Sequence, residues 1–318
     1  MTWGSALRTA VGWVLGPALL LLSGSAAGDT LALESRSMSL DHGGTRSMLG
    51  SVKRWGCQFQ KVHLAEIEAS DLDMIVLDIT LDGTPGRSAA PSELAQLKRK
   101  PDGSRRIVLA YLSVGEAADY RSYWQPDWSE RPPGWLGREN PNWPRAYPVR
   151  FWAPEWQAIL FGKSSSMLDE ILAAGFDGVF LDRIDVYGEW LKERFTAPQD
   201  MVALVSAIAS YARSSNQDFV VIGQNSEALL TDESYRTALD AVSKESLLFG
   251  LGGEGLENTP EQIAWSERLL REGSAAGLHV FAIEYLSDPE RIEEARRRLL
   301  QLGFTPFFGH RLLDRLPE

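Results

Sequence analysis

The chain has 318 residues, 44% of them hydrophobic and 24% charged, and a formal net charge of −11. This composition excludes a disordered chain, a collagen-like chain and a disulfide scaffold. The acidic balance argues against nucleic acid, whose phosphates demand a basic face, and suits a neutral or cationic partner.

Residues Met1 to Ala27 read as a secretory signal. Arg8 supplies a weak positive start, Val11–Leu22 is an uncharged apolar run too short for a comfortable membrane span, and Ser25, Ala26 and Ala27 fit the cleavage positions. The protein is therefore expected to be secreted or periplasmic, with no membrane partner once the signal is cut; a retained anchor is the alternative. Residues 28–53 carry little periodicity and read as a leader or linker. Cys57, the single cysteine, sits in the apolar stretch Trp55–Phe59 and reads as a small buried core residue. His42, His63, His279 and His310 have no partner at ligand spacing, so no metal and no cofactor is expected.

From Trp55 onward, short apolar runs alternate with amphipathic stretches. The runs are Gly56–Gln60, Met74–Ile79, Arg106–Val114, Gly178–Asp182, Phe219–Gly223, Ala241–Leu247, His279–Tyr285 and Phe304–Phe308. Helical patterns cover Ser92–Arg99, Trp156–Ala174, Met201–Arg213, Pro260–Ala276 and Pro289–Leu302. Gly175, Gly277 and Gly303 follow three of them, as helix-ending glycines do before a strand. Eight strands separated by helices predict an α/β protein, a single (β/α)8 TIM barrel over residues 54–318. The alternative, an open doubly wound sheet, would show a Gly-rich phosphate turn after its first strand; the glycine cluster Gly250–Gly255 comes late in the chain, far from the first strand. Residues 120–156 form a long insertion holding Trp124, Trp128, Trp135, Trp143, Trp152 and Trp156. Most of these are expected to pack the insertion onto the barrel, with one or two facing a cleft as a surface for sugar rings.

Acids fall at or just past the ends of these runs: Asp78, Glu116, Asp182 with Asp185, Glu227, Glu245 and Glu284. A barrel brings all strand ends of one polarity to one face, where active sites lie. Clustered carboxylates repel and raise one another's pKa, so such a cluster serves a proton transfer, a metal or a cationic ligand. Glycosidic hydrolysis uses two of them, one protonated and one ionised. Asp185 could share the site or cap the next helix. Lys244, next to Glu245, is expected on the opposite, outer side of its strand.

The segments Tyr111–Tyr120 (YLSVGEAADY), Gly175–Tyr187 (GFDGVFLDRIDVY), Gln224–Leu229 (QNSEAL), Lys244–Phe249 (KESLLF) and Phe281–Tyr285 (FAIEY) resemble, in order, glycoside hydrolase family 114, the endo-α-1,4-polygalactosaminidases. The likeness is nearest to its bacterial secreted branch. The resemblance implies a (β/α)8 barrel whose catalytic acids fall on Asp182 and Glu245, with Tyr111, Glu116, Asp185, Tyr187, Asn225, Glu284 and Tyr285 near the sugar. It also implies an amino-sugar polysaccharide as substrate, for which an acidic mouth is suited. Arg183 stands where fungal members carry Asn, and Ser243 and Lys244 alter the context of the sixth-strand acid, which leaves the polysaccharide open. A non-catalytic carbohydrate-binding barrel, and a glycosidase for another polysaccharide, are the alternatives. N-terminal sequencing of the exported protein is expected to start at Gly28; a start at Met1 in a membrane fraction would establish an anchor instead.

Overall fold

Eight apolar runs become eight parallel strands in the computed structural model, which describes residues 44–81 and 87–316. They are β1 (Trp55–Gln58), β2 (Met74–Leu77), β3 (Ile107–Ser113), β4 (Gly178–Asp182), β5 (Val220–Gln224), β6 (Ala241–Glu245), β7 (His279–Glu284) and β8 (Thr305–Phe308). Each pairs in parallel with the next, from β1 through to β8. This is the expected (β/α)8 barrel, nearly closed. Among the described residues no ladder joins β8 to β1. The seam is spanned instead by the Trp55 indole N–H donating to the Thr305 carbonyl (3.1 Å) and by the Phe59 N–H donating to the Leu313 carbonyl (2.8 Å).

Alternate residues of each strand point inward. Met74, Val76, Ile107, Leu109, Phe180, Ile222, Phe281, Ile283 and Phe307 fill the interior with Trp55 and Cys57, all buried. Trp55 lies 5.1 Å from the Phe281 ring and 5.5 Å from Phe307, centre to centre. The opposite strand faces are covered by helices such as Ala197–Ser215, Pro260–Ala275 and Pro289–Gln301.

Two expectations need correction. The leader does not run to residue 53: Thr45–Met48 forms a helical turn whose Thr45 and Arg46 N–H groups donate to the Asp218 carboxylate, and Leu49 and Val52 are buried against the barrel interior. The expected signal and the leader up to residue 43 lie outside the described residues. The single helix expected over Trp156–Ala174 is two, Pro154–Leu160 and Met167–Ala174. Gly162, at φ 99°, and the serines that follow break it, and Ser166 Oγ turns back to donate to the Ala158 carbonyl (2.9 Å).

The insertion between β3 and β4 opens with Glu116–Ala118 paired antiparallel to Ala146–Pro148. Its aromatics pack on one another: Trp128 meets Trp135 edge-on at 5.0 Å, and Trp135 meets Trp156 at 5.3 Å. Among the tryptophans Trp143 is the exception, half exposed, and Tyr120 is exposed as well.

Trp55 anchors both the interior and the seam, so Trp55→Ala is expected to cost about 3–5 kcal/mol of stability. Trp143→Ala is expected to change stability by no more than about 0.5 kcal/mol. Urea unfolding followed by circular dichroism distinguishes the two.

Candidate active site

Parity along the strands decides which side chains reach the barrel mouth. Leu109 and Phe180 point inward, so Tyr111 and Asp182, two residues further along β3 and β4, also point inward at the C-terminal rim. The same count places Gln224 and Glu245 at the inner ends of β5 and β6. Asp182 and Glu245 face one cavity of about 420 Å³, together with Tyr111, Glu116, Asn225 and Tyr285.

The Tyr111 hydroxyl donates to Asp182 Oδ2 (2.7 Å). Glu245 is held more fully. The Tyr285 hydroxyl donates to its Oε1, while Gln224 Nε2 (3.3 Å) and Asn225 Nδ2 (3.1 Å) donate to its Oε2. Asn225 Oδ1 also accepts the Glu245 backbone N–H (2.9 Å), so one side chain brackets both ends of the acid. Neither carboxylate has an ion pair among the described residues. Burial pushes the Asp182 carboxyl up, and the charge on Glu245 adds to this; the Tyr111 hydrogen bond offsets only part, leaving it at about 6.

The chain turns abruptly after each of these strands. Arg183, Asn225 and Ser246 adopt left-handed backbone conformations, with φ of 59°, 50° and 55°. Non-glycine residues there cost of order 1 kcal/mol or more, and they persist where neighbouring structure enforces them. Here Val114 N–H donates to the Asp182 carbonyl (3.0 Å) and Ser246 N–H to the Ile283 carbonyl (2.8 Å). Gly115 presses on the first of these turns: a Cβ there would lie 2.1 Å from the Arg183 carbonyl oxygen.

The remaining strand-end acids divide. Glu116 lines the cavity, accepting from Asn140 Nδ2 (2.7 Å) and lying 3.1 Å from Arg183 Nε. Burial raises its pKa, which Arg183 and Asn140 pull back only in part. Asp185 sits half-exposed at the rim, 3.5 Å from Arg183. Asp78 is clamped by Arg121 through both oxygens (3.0 and 2.6 Å), which holds its pKa below the ordinary value despite burial. Tyr187 lies outside the central cavity, in an adjoining one.

Glu284 does not reach the cleft. Phe281 and Ile283 take the inward positions of β7, so Glu284 faces outward and is fully buried. Its two oxygens accept the Leu248 (2.7 Å) and Phe249 (3.2 Å) N–H groups, tying down the loop after β6. Lys244 does take the outer face, but it is buried rather than solvated, with Nζ 2.9 Å from Glu227 Oε1. Glu227 accepts in addition from Ser266 Oγ (2.8 Å).

Gln224, Tyr120, Arg121, Asn140 and Arg311 also line the cavity without having been singled out from the sequence. Strand parity would have found Gln224. The other four stand on loops with no periodicity to mark them.

Two further cavities adjoin the central one. One, of about 370 Å³, shares Tyr111, Tyr120, Trp143 and Arg311 with it. The other, of about 420 Å³, shares Asp185, Asn225, Glu245 and Arg311, and adds Tyr187 and Trp265. The acid pair thus lies midway along an extended cleft at the C-terminal mouth of a parallel barrel.

Such a barrel, with paired acids at its mouth, has the build of a glycoside hydrolase. Residues 44–316 match the model of glycoside-hydrolase family GH114, and the chain belongs to that family. It is 37% identical over 275 residues to an uncharacterised protein of Deinococcus radiodurans, covering 84% of this chain and 83% of that one. It is 35% identical over 278 residues to an uncharacterised protein of Methanocaldococcus jannaschii, covering 82% and 77%. Its fold is similar to the glycoside hydrolase domain of PelA from Pseudomonas aeruginosa, with a TM-score of 0.64 and 22% identity, covering 84% of this chain and 98% of that domain. It is also similar to Ega3 of Aspergillus fumigatus, solved in complex with galactosamine, with a TM-score of 0.59 and 18% identity, covering 84% and 94%.

The Glu284 environment carries a pH signature. Burial lifts its carboxyl from 4.5 to about 7, against the hydrogen bonds from Leu248 and Phe249. Between those values the folded state binds the proton and the unfolded chain does not, so stability falls as pH rises from about 4.5 to about 7, by about 3 kcal/mol from this group. Glu284→Gln is expected to flatten that decline in urea titrations taken across the window.

Proposed function

We propose that the protein is an exported endo-acting glycosidase that cuts an amino-sugar polysaccharide, with Asp182 and Glu245 as its acid pair. The observation that carries this is the pair itself: two carboxylates at one cavity, each bound by hydroxyl or amide donors and neither neutralised by a cation. A cation bonded to the proton donor would hold it ionised and remove the acid the reaction needs.

In the first assignment Asp182 attacks the anomeric carbon while Glu245 gives its proton to the leaving oxygen. Water, deprotonated by Glu245, then displaces Asp182. Tyr111 holds the attacking oxygen, and Asn225, Gln224 and Tyr285 fix Glu245 through both of its states. One observation favours the reverse assignment: Asp182 is the acid whose pKa is lifted to about 6, as befits a proton donor.

The length of the cleft supports endo action on a polymer. Tyr120 is a rigid platform on one flank, its ring 5.3 Å from both the Arg121 and the Arg145 guanidinium carbons, and Trp143 stands beside it. Trp265 offers a second exposed ring on the other flank. The acids Glu116, Asp185 and Glu189 gather around one arginine, Arg183, and leave an excess of negative charge suited to sugar ammonium groups. The galactosamine bound by Ega3 is such a sugar.

The test is reducing-end release from a galactosamine polymer, chitosan and neutral α-glucans. Activity is expected on the amino-sugar polymer, with kcat lowered about 10³-fold or more in both Asp182→Asn and Glu245→Gln. Binding without release, unchanged in both variants, would make this a binding barrel. The pH profile separates the two assignments. With Asp182 as nucleophile, kcat/KM rises with pH through about 6, because the carboxylate is the active form. With Asp182 as the acid, it falls through the same range. Tyr111→Phe removes a donor to the carboxylate and moves that limb to higher pH in either case.

A further inference from the structure

Cations in and around the cleft are almost all committed to acids. Arg121 is bound to Asp78 (2.6 Å), Arg145 to Asp119 (2.6 Å) and Lys244 to Glu227 (2.9 Å), while Arg183 serves Glu116, Asp185 and Glu189. Arg311 differs. Among the described residues it makes no ion pair, and it borders all three cavities of the cleft. Its guanidinium carbon lies 5.6 Å from the centre of the Tyr285 ring, the same tyrosine whose hydroxyl binds Glu245. A sugar engaged by Glu245 therefore has an unneutralised guanidinium beside it.

The acid excess lies across the barrel. Glu116 follows β3 and Asp185 follows β4, whereas Tyr285 follows β7 and Arg311 follows β8. In an eight-stranded barrel these pairs of strands stand opposite one another. The cleft is thus charged unequally from wall to wall: an acid excess on the β3–β4 side, and on the β7–β8 side the unpaired Arg311 near the Glu245 carboxylate.

We propose that Arg311 is a specificity-determining residue that keeps an ammonium group off the β7–β8 wall and admits there a sugar with an uncharged oxygen acceptor, such as an N-acyl carbonyl. Five N–H donors in a fixed fork suit a carbonyl oxygen. Like charge repels an ammonium well within the screening length of physiological salt. Amino sugars are accommodated on the opposite wall, at Glu116 and Asp185. This rests on the amino-sugar reading above.

The experiment uses one α-1,4-galactosamine polymer prepared fully deacetylated, half N-acetylated and fully N-acetylated. The quantity read is kcat/KM on the fully deacetylated form divided by that on the half-acetylated form. Arg311→Gln is expected to raise this ratio at least tenfold, and Arg311→Lys, which keeps the charge, to leave it within about threefold of wild type. An unchanged ratio in Arg311→Gln overturns the proposal. So does an equal shift in Arg311→Lys, which would reduce Arg311 to packing on Tyr285. If wild type cuts none of the three, the substrate reading fails by itself. Arg311 is then judged by calorimetric binding of the same polymers to Asp182→Asn with and without Arg311→Gln. A tenfold shift of the affinity ratio toward the deacetylated polymer supports it, and no shift or no binding overturns it.

Discussion

Two carboxylates facing one cavity, with no cation bonded to either among the described residues, are the constraint around which the rest of the mouth is arranged. Left alone, such a pair would take up a proton and drift apart, or collect an arginine. Here the donors are neutral: Tyr111 on one acid, and Tyr285, Gln224 and Asn225 on the other. Neutral donors orient a carboxylate while leaving its proton exchangeable, as an acid–base step requires. The available arginines are drawn off one layer outward, Arg121 onto Asp78 and Arg183 onto three rim acids.

Placing those donors requires backbone that departs from strand geometry at the right residue. The left-handed turns at Arg183, Asn225 and Ser246 fall directly after the last inward residue of β4, β5 and β6. At Asn225 the turn is coupled to the site, because the side chain of the residue that carries it binds both the backbone N–H and the carboxylate of Glu245. The close approach of Gly115 to the Arg183 carbonyl ties the opening of the insertion to the same rim. Local strain at the mouth is thus supported by a tightly filled interior below it, centred on Trp55.

The outward-facing acids perform a different task with the same chemistry. Glu284 collects two backbone N–H groups from the loop after β6, and Glu227 collects Lys244 and Ser266. Both satisfy buried polar groups between the strands and the helix layer, where an unpaired donor or charge would be costly. Holding the loop after β6 also holds the chain next to Glu245. Glu284 thus steadies the inner acids from outside the cleft, while Glu227 and Lys244 also border its third cavity.

Periodicity determined the barrel: eight apolar runs, with helical patterns after five of them, admit few other closed arrangements, and the pairing is the one that order implies. Asp182, Glu245 and Glu116 were legible as cleft residues because strand ends converge in that fold, and the family resemblance pointed to the same acids and, beyond them, to Tyr111, Asn225 and Tyr285. Glu284 was misplaced on that ground. The alternation of large and small residues in Phe281–Glu284 assigns it to the outer face, a local signal that the rule of converging strand ends overrode. What only the tertiary structure decided is which charges meet. The pairing of Arg183 with three acids, of Lys244 with Glu227, and the unpaired place of Arg311 all depend on loops whose paths no repeat or pattern records, since they are set by contacts between residues far apart in the chain. The fold follows from local periodicity summed over the chain; the electrostatics of the cleft follow from where irregular segments come to rest on it.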